Sequence, residues 1–553
     1  MAMTEPADDG VLFEQLLDGS YDCVDRVVLR AYLQIGQAPA GFRTFWRRWK
    51  GSDDGLDNTR LMRIAGRFAR KVRGWAERED VPIVYSQAGE RNERISEKYV
   101  PADPRCEGVF LIIVGRAPGN VWDVVQAADG RIRHIKRKEP RSWVNHYAFH
   151  IMDREWGHVI IRFCPHPPFN AMVILNGHEW VALEAARRGV AFTREDNCFT
   201  ELSDARGLGL VADTLSSSES SIGRLVQVSE RWIYSAVLCF AMDIADQERT
   251  RFRYSYSIFQ AEYSRNLLFK NGRLMDQVFN GLVDRIRGPL DVRTVKTLFG
   301  RRQRPRKQKG QPREPAEEVA LEKPTYDLTI LRIHFGRVTL KIYTKGERVL
   351  RIEAMAHNVR DLHCRLSALY FPEVVAALRE MVDRYVEVLD CLDTAFIDGG
   401  LLDELSQPGT LGAVRVGGID TNRPRMRAVM EAVLTLSPNP RGFTASEHAT
   451  RVGEILGDHT YSPSRAAYDL RKLRSKGLLD RVPRSRRYLA DAPALRAIAA
   501  LLILRDKVLR PLLSAASKHQ PAPEPKQVTT LDLRYRRVHK EMQNLFETLG
   551  IAA

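Results

Sequence analysis

Cysteine is scarce in this 553-residue chain: seven residues, at 23, 106, 164, 198, 239, 364 and 391, with no Cys-x-x-Cys pair. Such scatter argues against a disulfide framework or a thiolate zinc site and fits a reducing compartment. Long apolar runs are missing too. No stretch of about 18 apolar residues occurs, so no membrane span is expected. The opening Met1-Ala-Met-Thr-Glu-Pro-Ala-Asp-Asp9 lacks the charge and apolar core of a secretory signal, and a cytoplasmic protein is expected. There is no Gly-x-x-x-x-Gly-Lys-Ser/Thr phosphate loop, no Gly-x-Ser-x-Gly elbow and no dinucleotide fingerprint after a strand. Acidic residues are the minority, 69 against 85 Lys and Arg, a formal charge of +16. The chain as a whole is attracted to polyanions, although basicity alone does not separate DNA from RNA or from an anionic surface.

Hydrophobic residues make up 44%, enough for real cores, and the length suits roughly three to four domains. The pattern predicts a multidomain α+β protein. Residues 1–100 read as a basic helical region. Asp57 to Trp75 is its clearest helix, with an apolar stripe of Leu61, Ile64, Phe68, Val72 and Trp75. The aromatic and cationic run Phe42 to Lys50 suits either a core with a charged surface or stacking on bases. Residues 101–300 read as α/β and then helical, with a strand at Gly108–Gly115, a hairpin from Trp143 to Phe163 and an all-helical stretch from 220. Residues 301–325 hold a basic linker, Arg301 to Arg313, with seven positive charges and no apolar face. A hairpin and helix domain is expected over 326–415, and a further unit over 420–516. A final amphipathic helix over 526–553 places Leu531, Tyr535, Val538, Met542, Leu545 and Leu549 at heptad spacing. That helix is too short to stand alone, and with the apolar helix Ala494–Ala516 it suggests a homodimer.

The segment Gly442–Leu489 carries the strongest signal. Thr444-Ala-Ser-Glu447 is a capping box that starts a helix ending near Gly457. Ser462 caps a second helix with Pro463 at its first position. In that helix Ala466, Leu470 and Leu473 share one face, while Arg465, Tyr468, Arg471 and Lys472 share the other. A basic hairpin with Arg484, Arg486 and Arg487 follows. These fifty residues resemble winged-helix DNA-binding domains. The resemblance implies base contacts from Arg465 or Arg471 and phosphate contacts from Arg484, Arg486 and Arg487.

Two clusters suggest chemistry. His146 and His150 fall on one side of a strand, and the hairpin brings His158 near them, a possible divalent-metal site of the kind a nuclease uses. The alternative is a set of half-buried, hydrogen-bonded histidines. In Lys341-Ile-Tyr343…Arg351-Ile-Glu353, a tyrosine beside cations suits nucleophilic attack on a phosphodiester, with Lys341 and Glu353 in support. This stretch, over some fifteen residues, resembles part of phage and plasmid replication initiators, which nick DNA through tyrosine. The alternative is a cross-strand salt bridge. His146-Tyr-Ala-Phe-His150 has three intervening residues where those nickases have one. The segments Val144–His158 and Ile174–Trp180 also resemble a group of uncharacterised bacterial proteins, which implies no activity. The expectation is a DNA-binding protein, mobile-element or replication associated. A metal- or tyrosine-dependent nickase and a structured-RNA binder are the alternatives.

Overall fold

The computed structural model describes residues 16–279, 317–393 and 404–505, apart from 323–329 and scattered single or paired positions, together with a few residues beyond 532. The chain is mixed α and β. It begins with β1 (Leu17–Tyr32), α1 (Pro39–Lys50), α2 (Asn58–Arg78), β2 (Ile83–Tyr85) and α3 (Asn92–Ser96). Next come β3 (Gly108–Pro118), the separate hairpin β4 (Trp122–Gln126) and β5 (Ile132–Arg137), then β6 (Trp143–Asp153), β7 (Gly157–Phe163) and β8 (Ala171–Asn176). Helix α4 (Gly177–Arg187) leads to the hairpin β9 (Phe192–Glu195) and β10 (Cys198–Leu202), then α5 (Ala205–Ser216), α6 (Glu219–Ala236), α7 (Ile244–Thr250) and β11 (Ser255–Phe269). Beyond residue 316 are β12 (Glu317–Glu322), β13 (Ile330–Phe335), β14 (Val338–Lys345), β15 (Val349–Ala356) and α8 (Phe371–Asp393).

Eleven of these strands form one sheet in the order β12-β13-β14-β15-β11-β1-β8-β7-β6-β3-β2, antiparallel throughout except for β2 beside β3. This corrects three expectations. The first hundred residues are not simply helical, because Leu17–Tyr32 is an inner strand paired with β11 on one side and β8 on the other. The stretch from 220 is not all-helical either. Arg251 turns left-handed (φ 53°) after α7, and the Tyr-Ser-Tyr-Ser alternation that follows has a strand's period of two. Finally, the segments read as separate domains share one sheet. The basic run Arg301–Arg313 and nearly all of the terminal heptad helix lie outside the described residues.

One sheet face is packed by helices. Phe68 of α2, fully buried, meets Tyr147, Phe149 and Phe163 at ring-centroid distances of 5.0, 6.5 and 5.0 Å. Burying such a ring contributes roughly 2–3 kcal/mol. The rings of Phe42, Phe45, Trp46 and Trp49 on α1 are core, not stacking platforms. Their helix turns its arginines outward, as an amphipathic helix does. The predicted stripe of α2 is buried at Leu61, Ile64, Phe68 and Val72, with Ala76 completing it and Trp75 half-buried.

The C-terminal unit has its own core. It contains the hairpin β16 (Gly409–Leu411) and β17 (Val414–Val416), α9 (Pro424–Leu436), β18 (Phe443–Thr444), α10 (Ala445–Leu456) and α11 (Pro463–Ser475). It closes with β19 (Asp480–Arg481), β20 (Arg487–Leu489) and α12 (Ala492–Ile503). A three-stranded sheet pairs β18 with β20 and β20 with β19. Of the apolar helix expected over Ala494–Ala516, the described part is covered within the chain: Leu495, Ile498 and Leu501 of α12 are buried, and α12 lies against α9 and α8, while 506–516 lie outside the described residues. That described part of the face is therefore no support for a homodimer.

Candidate nucleic-acid interface

Local signals build the C-terminal unit. The Thr444 hydroxyl accepts from the Glu447 amide at 3.2 Å, and the Glu447 carboxylate accepts from the Thr444 amide at 2.6 Å. This reciprocal pair satisfies two donors that the first turn of α10 cannot pair internally. Gly457 ends the helix at φ 66°, a left-handed conformation that glycine adopts without strain. Ser462 accepts from the Arg465 amide and Pro463 occupies the first turn of α11.

Helix α11 buries Ala466, Leu470 and Leu473 and turns Arg465, Tyr468 and Arg471 to solvent, with Lys472 half-buried beside them. The Lys472 ammonium lies 5.2 Å from the centre of the Tyr468 ring. Two features escaped the sequence reading. Asp469 is buried under α11, accepting from the Tyr461 hydroxyl at 2.9 Å and facing the Arg425 guanidinium at 3.3 Å, which ties the helix to α9. Gly417 passes beside Tyr468, where an added Cβ would come within 3.4 Å of the phenol oxygen.

In the turn between β19 and β20, Arg484 (φ 54°) and Arg486 are exposed. Arg487 is not available as expected. Its guanidinium donates to the Gly442 carbonyl at 2.6 Å and pairs with Glu447 at 3.3 Å, fastening the turn to the start of α10.

The histidine cluster is only partly assembled. His150 Nδ1 and His158 Nε2 lie 2.9 Å apart and hydrogen-bond to each other, so those atoms are committed. Burial, then the neighbouring His158, pushes His150 down to about 3, and it is neutral at physiological pH. His146 instead faces Arg162 and His166, its Nδ1 3.2 Å from the Val144 carbonyl. A three-histidine metal site is thus not brought together, because residues 146 and 150 are two pleats apart on one strand.

At the other end of the sheet, Lys341 pairs with Glu353 at 3.2 Å across β14 and β15, and Tyr343 stands opposite Arg351 with its hydroxyl 3.5 Å from Glu353. Burial raises the Tyr343 phenol; Arg351 opposes and Glu353 adds to the rise, so the phenoxide is disfavoured where flanking cations were expected to favour it. The cation expected beside the tyrosine is spent on a cross-strand bridge.

Beneath lies a cluster the sequence did not reveal. Arg351, fully buried, donates to Asp25 at 2.7 Å, to Asn266 at 3.0 Å and to the Asn197 carbonyl at 2.8 Å. His178 Nδ1 is 2.6 Å from Asp25, and Ser264 donates to the same carboxylate at 3.0 Å. Burial favours a neutral Asp25, but Arg351 and His178 outweigh it and hold the carboxyl below its ordinary value. Cys23, Asp25 and His178 form the one trio among the described residues whose ligand atoms lie within 4.8 Å of one another. A cation there would sit against the Arg351 guanidinium, and the donor set does not suit one.

Comparison with known proteins finds no matching family model, no matching curated protein and no matching solved structure. Among the described residues no helix is long and apolar enough to cross a membrane.

Proposed function

We propose that this chain is a duplex-DNA-binding protein and that residues 424–489 form a winged-helix module. The observation that carries the reading is the element order helix, strand, helix, helix, strand, turn, strand, with Arg465, Tyr468 and Arg471 exposed on the third helix. A major groove admits a helix of this size, and arginine at its edge can bind guanine through two parallel hydrogen bonds. Arg484 and Arg486 on the turn then meet the phosphates, which positions the module without reading sequence. Buried Asp469 and the Glu447–Arg487 pair hold helix and turn in fixed relation before DNA arrives.

The test is fluorescence anisotropy of the full chain on a labelled duplex of about 20 base pairs, titrated with salt. Arg484→Ala combined with Arg486→Ala should weaken binding to all duplex sequences alike and flatten the salt slope by about two. Arg465→Ala combined with Arg471→Ala should reduce selection among sequences. Duplex affinity unchanged in both double variants refutes the winged-helix reading.

A further inference from the structure

The central sheet has one covered face and one that is open over β1, β8 and β7 but buried at β6 and β3, where Ala148 and Ile113 pack with Leu111. On the covered side Leu29, Val173, Ile161, Phe149 and Ile112 stand side by side across β1, β8, β7, β6 and β3, and none is exposed. One residue along, the row on the opposite face reads Arg30, Met172, Arg162, Ala148 and Ile113. Arg30 is exposed, and Met172 and Arg162 are half-buried. Strand alternation makes the contrast meaningful at β1 and β7, where a face buried like the other would carry apolar residues in place of Arg30 and Arg162.

Two hollows lie along this face, of about 890 and 830 Å³, and both are walled by His146 and Arg162. They therefore form one trough. The first hollow adds Arg30, Arg141 and Arg360 and has no Asp or Glu in its lining. The second adds Arg116 and Trp143, with a single carboxylate, Glu90, already accepting from the Gln87 amide. Among the described residues, Arg30, Arg141, Arg162 and Arg360 have no carboxylate within ion-pair distance. Burial depresses the Arg30 guanidinium, and Arg360 and Arg141 depress it further, so these cations crowd one another without a counter-charge. The Tyr256 hydroxyl and His166 Nδ1 are also buried here without a hydrogen-bond partner. An array of cations without carboxylate partners, beside unpartnered polar atoms on a half-open face, suits an anionic ligand.

Aromatic surface runs beside the charge. Trp143, 62% exposed at the first position of β6, borders the second hollow at the strand's end, and the Arg30 guanidinium stacks 3.8 Å above the Phe259 ring. A duplex keeps its bases inside and has nothing to lay on that indole, whereas an unpaired strand does. From β11 to β3 the trough crosses six strands, about 24 Å at ordinary strand spacing, the span of a few nucleotides.

We propose that the open face of the central sheet is a binding trough for single-stranded nucleic acid, with Arg30, Arg141, Arg162 and Arg360 on the phosphates and Trp143 stacking on a base. The trough is separate from the α11 surface and does not depend on the winged-helix reading.

The experiment uses the full chain and a labelled twelve-residue oligothymidine, which forms no duplex. The double substitution Arg30→Ala with Arg162→Ala should weaken binding at least tenfold and flatten the salt slope by about 1.4, the value for two phosphate contacts on a single strand. Trp143→Ala should weaken binding about tenfold with the slope unchanged. Both variants should bind duplex as the unaltered chain does, while Arg465→Ala with Arg471→Ala should leave oligothymidine binding intact. Circular dichroism and melting of each variant confirm folding, and Arg30→Lys, which keeps the charge, should restore the salt slope. Unchanged oligothymidine affinity in the sheet variants overturns the proposal. So does an equal loss on duplex, or displacement of the oligomer by thymidine monophosphate at the same phosphate concentration, which would mark a small-ligand site.

Discussion

Replacing Glu262 by Gln should stabilise the protein at pH 8 and do nothing for it at pH 4. Glu262 lies on β11 at 8% exposure. Burial, then the Glu353 and Asp25 carboxylates, raises it from an ordinary 4.5 to about 7. Between those two values the folded protein holds a proton that the unfolded chain has released, so stability falls as pH rises through the window. Below 4.5 both states are protonated and the penalty is absent; above 7 it is complete. A displacement of that size corresponds to roughly 3 kcal/mol. Because Glu262 and its neighbours share the charge, about 1–3 kcal/mol is expected on removing it. Glutamine keeps the shape and can still accept from Gln260 Nε2, now 2.6 Å from the carboxylate, so the substitution isolates charge from packing. Urea denaturation of both proteins at pH 8, 7, 6 and 5 should show an advantage that shrinks steadily with acidity. A difference independent of pH, or a less stable variant at pH 8, would refute the reasoning.

Two further outcomes follow from buried contacts. Asp25→Asn removes the carboxylate 2.7 Å from the fully buried Arg351 guanidinium, its ion-pair partner, and should cost about 3–5 kcal/mol in urea denaturation; a loss below 1 kcal/mol would mean the cluster is already wet. Thr444→Ala removes half of the capping box and should cost about 1 kcal/mol, read as faster hydrogen exchange in the first turn of α10; unchanged protection there would show that the cap does not set the helix start.

What was legible in the sequence is what local chemistry dictates. Thr444 with Glu447, and Ser462 with Pro463, act within four residues, and both helix starts stand where those signals place them. The β6–β7 hairpin was equally readable, since its pairing closes over a short turn at Asp153–Gly157. The long strands β1 and β11 were not. Each carries charged and polar residues on both sides of the strand, Asp22, Asp25 and Arg26 in one and Glu262, Ser264, Arg265 and Asn266 in the other. That interrupts the alternation past Ser257 in β11 and through the middle of β1, and the irregular register of their pairing between Val24 and Val27 interrupts it again. Their polar residues make sense only in pairs, and the partners are remote: Asp25 meets Arg351 and Asp22 meets Arg265.

Pairing is also what separates interface from scaffold in a chain this basic. A surplus of Lys and Arg tells where polyanions are welcome only after the cations already spent are removed. At the β14–β15–β11 end of the sheet, Lys341 is bound to Glu353, Arg351 to Asp25, Arg265 to Asp22 and Asp383, and Arg379 to Asp213. Arg487 is bound to Glu447 at the root of its turn. These residues look as basic in sequence as Arg30, Arg162, Arg465 or Arg484, yet their charge is neutralised inside the fold. Removing one of them would damage structure first, and any loss of nucleic-acid binding would follow from that. Substitution of the unpaired set should do the reverse, changing affinity and salt dependence with stability almost unmoved. The contrast between the two sets, measured as melting temperature against binding slope, decides whether the open sheet face and α11 are true contact surfaces or merely the places where a basic protein keeps its excess charge.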